Sequence, residues 1–472
     1  MAIAEDKRKW WTLAGACAGL FLLMLDSTVV ALALPVIHRD LGATPEALQW
    51  TMNGYLLTIA ILVISAGRLG DMFGRKRAFL LGLVVFAAGS VLSGAASGPE
   101  MLIAGRVVQG VGAAPMLTLS LAIICNVFPG KAEQASALGI WAAVSAVALA
   151  IGPLAGGALI EIDWRVIFWV NVPIAALGIA IMAAAAPEST DPGAGRRIDW
   201  GGLALLSSGL FAVVLALVEA DAWGAAAIVV GLAGVALLLA FGRLERRAPD
   251  PLVDLTLFRN RPYFGASAAA FALVGSYWAV MFFQPQYLQD ARGHSAVESG
   301  LLILPITVPM IFISPFSGRL IARFGARRLM TTGMVLGTLG MLALTQIDGS
   351  TPYGLLLVGY LLFGIALGLV YAPMSTAAMA AMPAEKVGIA AGVLAMDRLV
   401  AGAVALAASG AVFHALLGDG RSFSSSVAGS TWVVVVLCAF GAGLTWAFVR
   451  DPDPLPRHDE PAREHLHRRF HL

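Results

Sequence analysis

Charge is scarce in this chain. Only 13% of its 472 residues are Asp, Glu, Lys or Arg while 59% are hydrophobic, and no soluble core could hide that much apolar surface. The chain belongs in a bilayer. With 31 Lys and Arg against 29 Asp and Glu, the net charge is +2, so there is no basic footprint for nucleic acid. Cysteine is nearly absent too. Cys17, Cys125 and Cys438 all fall inside apolar runs, are odd in number and lack metal-ligand spacing, which excludes a disulfide framework and a zinc site. No phosphate-cradling glycine loop and no hydrolytic constellation is present. Those absences speak against an ATP-driven pump and against an enzyme, and no cofactor or metal is expected. The first apolar run is too long for a signal peptide and no small-residue cleavage site follows it, so it is read as a retained helix.

What the chain has instead is long apolar runs of about 20 residues, the length that spans a bilayer. They lie at 11–35, 47–67, 78–97, 101–125, 134–160 and 165–186, then at 199–219 and 223–242, and finally at 262–288, 297–318, 328–346, 353–380, 386–416 and 428–449. The total is fourteen. Gly67-Arg68-Leu69-Gly70-Asp71-Met72-Phe73-Gly74-Arg75-Lys76-Arg77, a charged hairpin between two runs, partly recurs as Gly318-Arg319-Leu320-Ile321-Ala322-Arg323-Phe324-Gly325-Ala326-Arg327-Arg328, 251 residues on. The same shift carries the first set of six runs onto the last six. Two runs in the middle have no counterpart, so the chain reads as two related halves with an insertion. The expected units are a six-helix bundle over 1–186, linkers and two inserted helices over 187–261, a second six-helix bundle over 262–450 and a disordered cytoplasmic tail over 451–472.

Basic residues set the orientation. Lys7, Arg8, Lys9, Arg68, Arg75, Lys76, Arg77, Lys131, Arg196, Arg197, Arg243, Arg246, Arg247, Arg259, Arg261, Arg319, Arg323, Arg327, Arg328 and Lys386 fall on one side, whereas the opposite loops hold only Arg39, Arg165, Arg292 and Arg421. Both termini are therefore expected in the cytoplasm. His465, His467 and His471 in the tail are read as solvated rather than metal-binding, and the Ala- and Gly-rich composition points to a GC-rich bacterial genome.

The hairpin from Gly67 to Arg77 resembles the loop between helices 2 and 3 of the major facilitator superfamily. Leu25-Asp26-Ser27-Thr28-Val29-Val30-Ala31-Leu32-Ala33-Leu34-Pro35 is similar to the first-helix signature of that family's fourteen-helix drug:proton antiporter branch, with Ala31 where the branch usually has Asn. The run from Leu102 to Ala114, with Arg106, resembles the family's fourth-helix motif. Gly139, Gly152, Pro153, Gly156 and Gly157 resemble the antiporter motif of the fifth helix, with Ala148 where a Gly is expected, and Asp163-Trp164-Arg165 followed by Asn171-Val172-Pro173 resembles the branch's entry to helix 6. The resemblance implies an all-α integral membrane protein with the major facilitator fold, two pseudo-symmetric six-helix halves plus two inserted helices. It implies a multi-pass protein of the cell membrane that exports drugs by alternating access, expected to act as a monomer on small molecules and protons.

Ionisable residues at bilayer depth are costly unless they face a bundle interior or a partner. Asp26, Arg106, Asp397 and Arg398 are the candidates for proton coupling or substrate contact. Asp26 can take a proton from one side and release it on the other, and the resemblance places Arg106 beside it as counter-charge. Purely structural bonds between helices are the competing roles. Asp397 and Arg398, neighbours about 100° apart on a helix, cannot point the same way. Either one faces the cavity or the two form a self-contained pair. Gly67, Asp71 and Arg75 are expected to form a cytoplasmic gate, with Asp71 accepting from the start of helix 13 near Glu385 and Lys386. Gly152, Pro153, Gly156 and Gly157 are expected to let helices close tightly. Trp50, Tyr55, Trp278, Phe282, Phe283, Tyr371 and Met374 are candidate linings for an amphipathic or cationic guest, while Glu219 and Asp221 are expected to be merely solvated. An exporter or proton-coupled importer of one metabolite or lipid is the alternative carrier. A receptor or scaffold without turnover is the alternative of another class.

Overall fold

The computed structural model describes residues 5–191, 199–248, 251–383 and 386–450; the remainder of the expected linker, with Arg196 and Arg197, and the tail lie outside them. Among the described residues there are helices and turns but no strand. A hydrocarbon layer offers backbone groups no outside partner, and helices satisfy them internally. The first half comprises α1 (Glu5–Leu41), α2 (Pro45–Phe73), α3 (Arg75–Gly94), α4 (Pro99–Val127), α5 (Lys131–Ile162) and α6 (Asn171–Ala185). The inserted pair is α7 (Trp200–Val218) and α8 (Ala225–Glu245). The second half comprises α9 (Arg261–Gln286), α10 (Ala296–Ile313, continuing as a helix over Ser317–Phe324), α11 (Ala326–Leu344), α12 (Tyr353–Ala380), α13 (Val387–Gly418) and α14 (Phe423–Phe448).

Local chemistry marks the boundaries. Thr44 accepts from Ala47 N ahead of Pro45 at the start of α2, Asn260 accepts from Tyr263 N at α9, and Ser295 with Glu298 forms a reciprocal capping box at α10. The repeated hairpin turns on one residue in each half. Gly74 has φ +119° and Gly325, 251 residues later, has φ +80°, backbone that a side chain would strain.

Among the described residues, thirteen helices are long and apolar enough to cross a membrane. The fourteenth, α11, is less apolar because it opens on Arg327 and Arg328 and includes three threonines and three glycines among its 19 residues. Those glycines are contact surface. A Cβ on Gly333 would lie 2.6 Å from Val370 and one on Gly340 would lie 2.7 Å from the carbonyl of Gly359. Gly82 and Gly89, 251 residues earlier, do the same on α3, where a Cβ would meet Gly112 O at 2.7 Å and Gln109 N at 2.5 Å. The α3–α4 and α11–α12 pairs are thus the same close-packed unit built twice.

The two halves meet through α1 with α9, α2 with α13, and α5 with α10. Their recorded polar bonds lie at the end remote from the charged hairpins: Gln49 Nε2 to His414 Nε2 at 2.7 Å, Gln289 Nε2 to Leu32 O at 2.9 Å and Arg39 to Asp290 at 3.3 Å. The inserted helix α7 packs on both α2 and α13, and α8 packs on α7.

Candidate functional site

The buried ionic cluster of the first half draws on five of its six helices. Asp26 on α1 is 2% exposed and Arg106 on α4 is 0% exposed. Arg106 Nη1 donates to Asp26 Oδ2 at 2.5 Å and to Gln109 Oε1 at 2.7 Å, and its Nε donates to the α2 carbonyl of Thr51 at 3.1 Å. Gln109 Nε2 donates to Asp26 Oδ1 at 3.1 Å and to Ser90 Oγ on α3 at 2.8 Å. Asn171, the first residue of α6, donates from Nδ2 to Asp26 Oδ1 at 2.9 Å. The guanidinium lies over the Tyr55 ring, 4.1 Å from its centroid. Each charge thus has an opposite charge and further hydrogen-bond partners, the condition under which ions persist in a low dielectric. Local sequence explains the closeness. Gly89 lets α4 approach α3 so that Gln109 reaches Ser90, and Pro99 at the start of α4 and Pro173 in the first turn of α6 suit helix beginnings.

The structure brings Asp26 and Arg106 together but keeps Asp397 and Arg398 apart from them and from each other. Ser267 Oγ on α9 donates to Asp397 Oδ2 at 2.8 Å. Arg398 Nη2 donates to Ser375 Oγ on α12 at 2.5 Å, and its guanidinium lies 5.2 Å from the Tyr371 ring centroid. The two neighbours turn to different helices, and both are half-buried.

At the basic end, Asp71 Oδ1 accepts from Arg75 Nε at 2.7 Å, and its backbone carbonyl accepts from Asp191 N at 3.0 Å. The start of the segment after α6, read from sequence as a linker, is folded onto the hairpin through Glu188, Ser189 and Asp191. Glu188 accepts from Lys76 N at 3.0 Å and Arg77 N at 3.2 Å, capping α3 where Gly74 has no side chain to do so. Of the partners expected for Asp71 at helix 13, Glu385 lies outside the described residues, and Lys386 instead binds Asp254 at 2.8 Å. Burial alone would raise the Asp254 carboxyl, but hydrogen bonds from Lys386 and Thr256 hold it below the usual carboxylate range.

The glycines of α5 divide between two surfaces. A Cβ on Gly152 would collide with Thr28 of α1 and one on Gly156 would lie 3.0 Å from Val29. Gly157 faces Val297 of α10 at 2.8 Å, and the Pro153 carbonyl would meet a Cβ on Gly300 of α10. A Cβ on Gly139 would meet nothing within 4 Å beyond its own helix, and one on Gly67 would lie an ordinary 3.6 Å from Thr118. Thus part of the motif packs within its own half, and part forms the seam with the other.

The candidate pocket residues do not share one wall. Tyr55 belongs to the Arg106 cluster, and Tyr371 lies with Arg398. Phe282 and Phe283 meet edge-to-face and Phe283 leans on Phe413, Met374 is 0% exposed, and Trp278 packs on Gly402. Trp50 points toward the insertion, stacking on Phe211 and donating from Nε1 to Glu219 at 3.0 Å. Glu219 is therefore a bonding partner rather than merely solvated. Sequence reasoning named Gln109 and Asn171 only within motifs and passed over Ser90, Ser267 and Ser375. Their signal was a polar side chain inside an apolar run.

A chain of two repeated helical bundles, with an ion pair sealed inside the first, defines a multi-pass membrane protein of the repeat-built carrier type. It belongs to the Major Facilitator Superfamily, whose model matches residues 16–406. Among similar proteins, "Multidrug resistance protein Stp" of Mycobacterium tuberculosis is 35% identical over 410 residues, 86% of this chain and 76% of that one. "Tetracenomycin C resistance and export protein" of Streptomyces glaucescens is 34% identical over 426 residues, 87% of this chain and 77% of that one. "Puromycin resistance protein pur8" of Streptomyces alboniger is 34% identical over 455 residues, 93% of this chain and 90% of that one. A solved D-xylose-proton symporter superposes with a TM-score of 0.68 at 14% identity, covering 94% of this chain and 99% of that one, a likeness of fold.

Proposed function

We propose that this protein is a secondary transporter, not an enzyme, that exports small amphipathic or cationic compounds in exchange for protons across a bacterial cell membrane. Residues 1–186 and 262–450 act as the two rocking halves, and a monomer suffices. The observation that carries the reading is the Asp26–Arg106 pair, both members essentially without exposure and 2.5 Å apart inside the first bundle. A scaffold has no need of so costly a pair, whereas a carrier uses it to tie protonation to conformation. One charge crossing about 100 mV is worth roughly 2.3 kcal/mol, so one or two protons support substantial accumulation. The names of the relatives, multidrug resistance and antibiotic export among them, favour efflux of such compounds.

The arrangement of the halves supports alternating access. Among the described residues, Gln49–His414, Gln289–Leu32 and Arg39–Asp290 join the halves at the end remote from the hairpins. Toward the basic end, Ile140 and Val147 on α5 and Ile389 on α13 are exposed, and a Cβ on Gly139, Gly388 or Gly392 would meet nothing within 4 Å beyond its own helix. We read this as the state open to the cytoplasm, with the Asp71 gate disengaged from α13.

The test is substrate-induced proton release from everted vesicles or proteoliposomes, screening cationic dyes and drugs with wild type beside Asp26→Asn. Wild type is expected to exchange protons for at least one dye and Asp26→Asn to exchange none. Coupled exchange surviving in Asp26→Asn moves the role to Asp397. No proton movement with any cation or drug overturns the multidrug reading in favour of a carrier dedicated to one metabolite or lipid.

A further inference from the structure

Every recorded bond to Asp26 is one that a carboxylate accepts. Arg106 donates to Oδ2, while Gln109 and Asn171 both donate to Oδ1. A protonated carboxyl must also give a hydrogen away, and it needs an acceptor with capacity to spare. Gln109 Oε1 already spends one of its two lone pairs on Arg106 Nη1 at 2.7 Å, whereas an acceptor with no donor at all has both to give. Ser90 Oγ receives Gln109 Nε2 at 2.8 Å and Asn171 Nδ2 at 3.4 Å, and spends its own hydrogen on the carbonyl of Phe86 at 3.0 Å. Asn171 differs, because its Nδ2 is bonded to Asp26 while its Oδ1 is buried with no partner. The side chain is 0% exposed and stands at the first residue of α6, where rotating an amide breaks no main-chain hydrogen bond.

We propose that Asn171 is the positioning residue that exchanges roles with Asp26 during proton coupling. While Asp26 is ionised, Asn171 Nδ2 donates to it. When Oδ1 of Asp26 takes a proton, the amide of Asn171 turns over and its oxygen receives the new O–H. No covalent bond of Asn171 changes; the turn gives up the hydrogen bonds from Nδ2 to Asp26 Oδ1 at 2.9 Å and to Ser90 Oγ at 3.4 Å, and gains the one from the new Asp26 O–H. One polar atom of the amide is unpaired in either pose, so the turn replaces one orphan with another instead of creating a second. Arg106, with its counter-charge neutralised, keeps Gln109, the Thr51 carbonyl and the Tyr55 ring. The inference rests on the reading of Asp26 as the coupling carboxylate, and its test separates the two.

Acid-minus-neutral infrared difference spectra are recorded on the full-length protein in liposomes for wild type, Asp26→Asn, Asn171→Leu and Asn171→Thr, alongside dye-coupled proton release. Wild type is expected to show a protonated-carboxyl band that Asp26→Asn abolishes and that changes position in Asn171→Leu. Coupled transport should fall about tenfold or more in Asn171→Leu, as the loss of one hydrogen bond to a charged group implies. It should be largely restored in Asn171→Thr, whose hydroxyl both gives and accepts. If Asn171→Leu fails to fold, Asn171→Ala, which also lacks an acceptor, replaces it. A carboxyl band at the wild-type position in the leucine or alanine variant overturns the inference and leaves Asp26 as the coupling residue. Absence of any Asp26-dependent band overturns both.

Discussion

The same helix pair is built twice in this protein, yet one copy encloses an ion pair and the other a neutral contact. On α3, Gly89 faces Gly105 O and the backbone at Gln109; on α11, Gly340 faces Gly359 O and the backbone at Phe363. The equivalence of 105 with 359 and of 109 with 363 puts Tyr360 where the first half has Arg106. Tyr360 is also 0% exposed, and its hydroxyl donates to Gln284 of α9 at 2.6 Å. Steric matching of helices is thus conserved between the halves while the electrostatics at the matched position is not. The charges of the second half stand instead on α13, half-buried and with serine partners. The comparison teaches that the fold builds the glycine contacts in both halves but a buried ion pair in only one.

The largest expected effect breaks this contrast outright. Arg106→Leu leaves Asp26 buried without its counter-charge and should cost about 3–5 kcal/mol, whereas Tyr360→Phe at the matched place should cost only about 1 kcal/mol. Thermal unfolding in detergent measures both, and equal losses would erase the distinction. Next come the matched glycines. Gly89→Ala and Gly340→Ala each push a methyl into backbone contacts of 2.5–2.7 Å, so both should destabilise by about 1–3 kcal/mol. Only Gly89→Ala should also depress dye-coupled proton release beyond the stability loss, because it displaces Gln109 from Ser90 and Asp26. The smallest effect is Asp397→Asn. Its amide oxygen still accepts from Ser267, so stability should change by less than about 1 kcal/mol, and coupled transport should fall far less than in Asp26→Asn. Measured side by side in vesicles, a larger fall in the Asp397 variant would reverse the ranking of the two halves.

Much of this was legible before any coordinates. Helix number and order follow from apolar runs, and the repeat from Gly67 and Gly318, because a bilayer leaves few ways to fold an apolar run. Asp26 and Arg106 stood out because charge at depth is rare. The divergence of Asp397 from Arg398 follows from helix geometry alone. What could not be read was which faces meet. Ser90 and Asn171 are ordinary polar residues until α3 and α6 turn them toward the same carboxylate, and the proposed aromatic lining scattered because each ring's direction depends on its helix's rotation. Trp50 went to the insertion, and Glu219 with it. The capping role of Glu188 was hidden for another reason: it joins residues 112 positions apart, and nothing local to either signals the other.

Helix α7 touches α2 of one half and α13 of the other, and Trp50 ties its far end to the first. The inserted pair is therefore an outside strap across the seam: it adds apolar contact to both halves at once without contributing to the buried polar cluster of either.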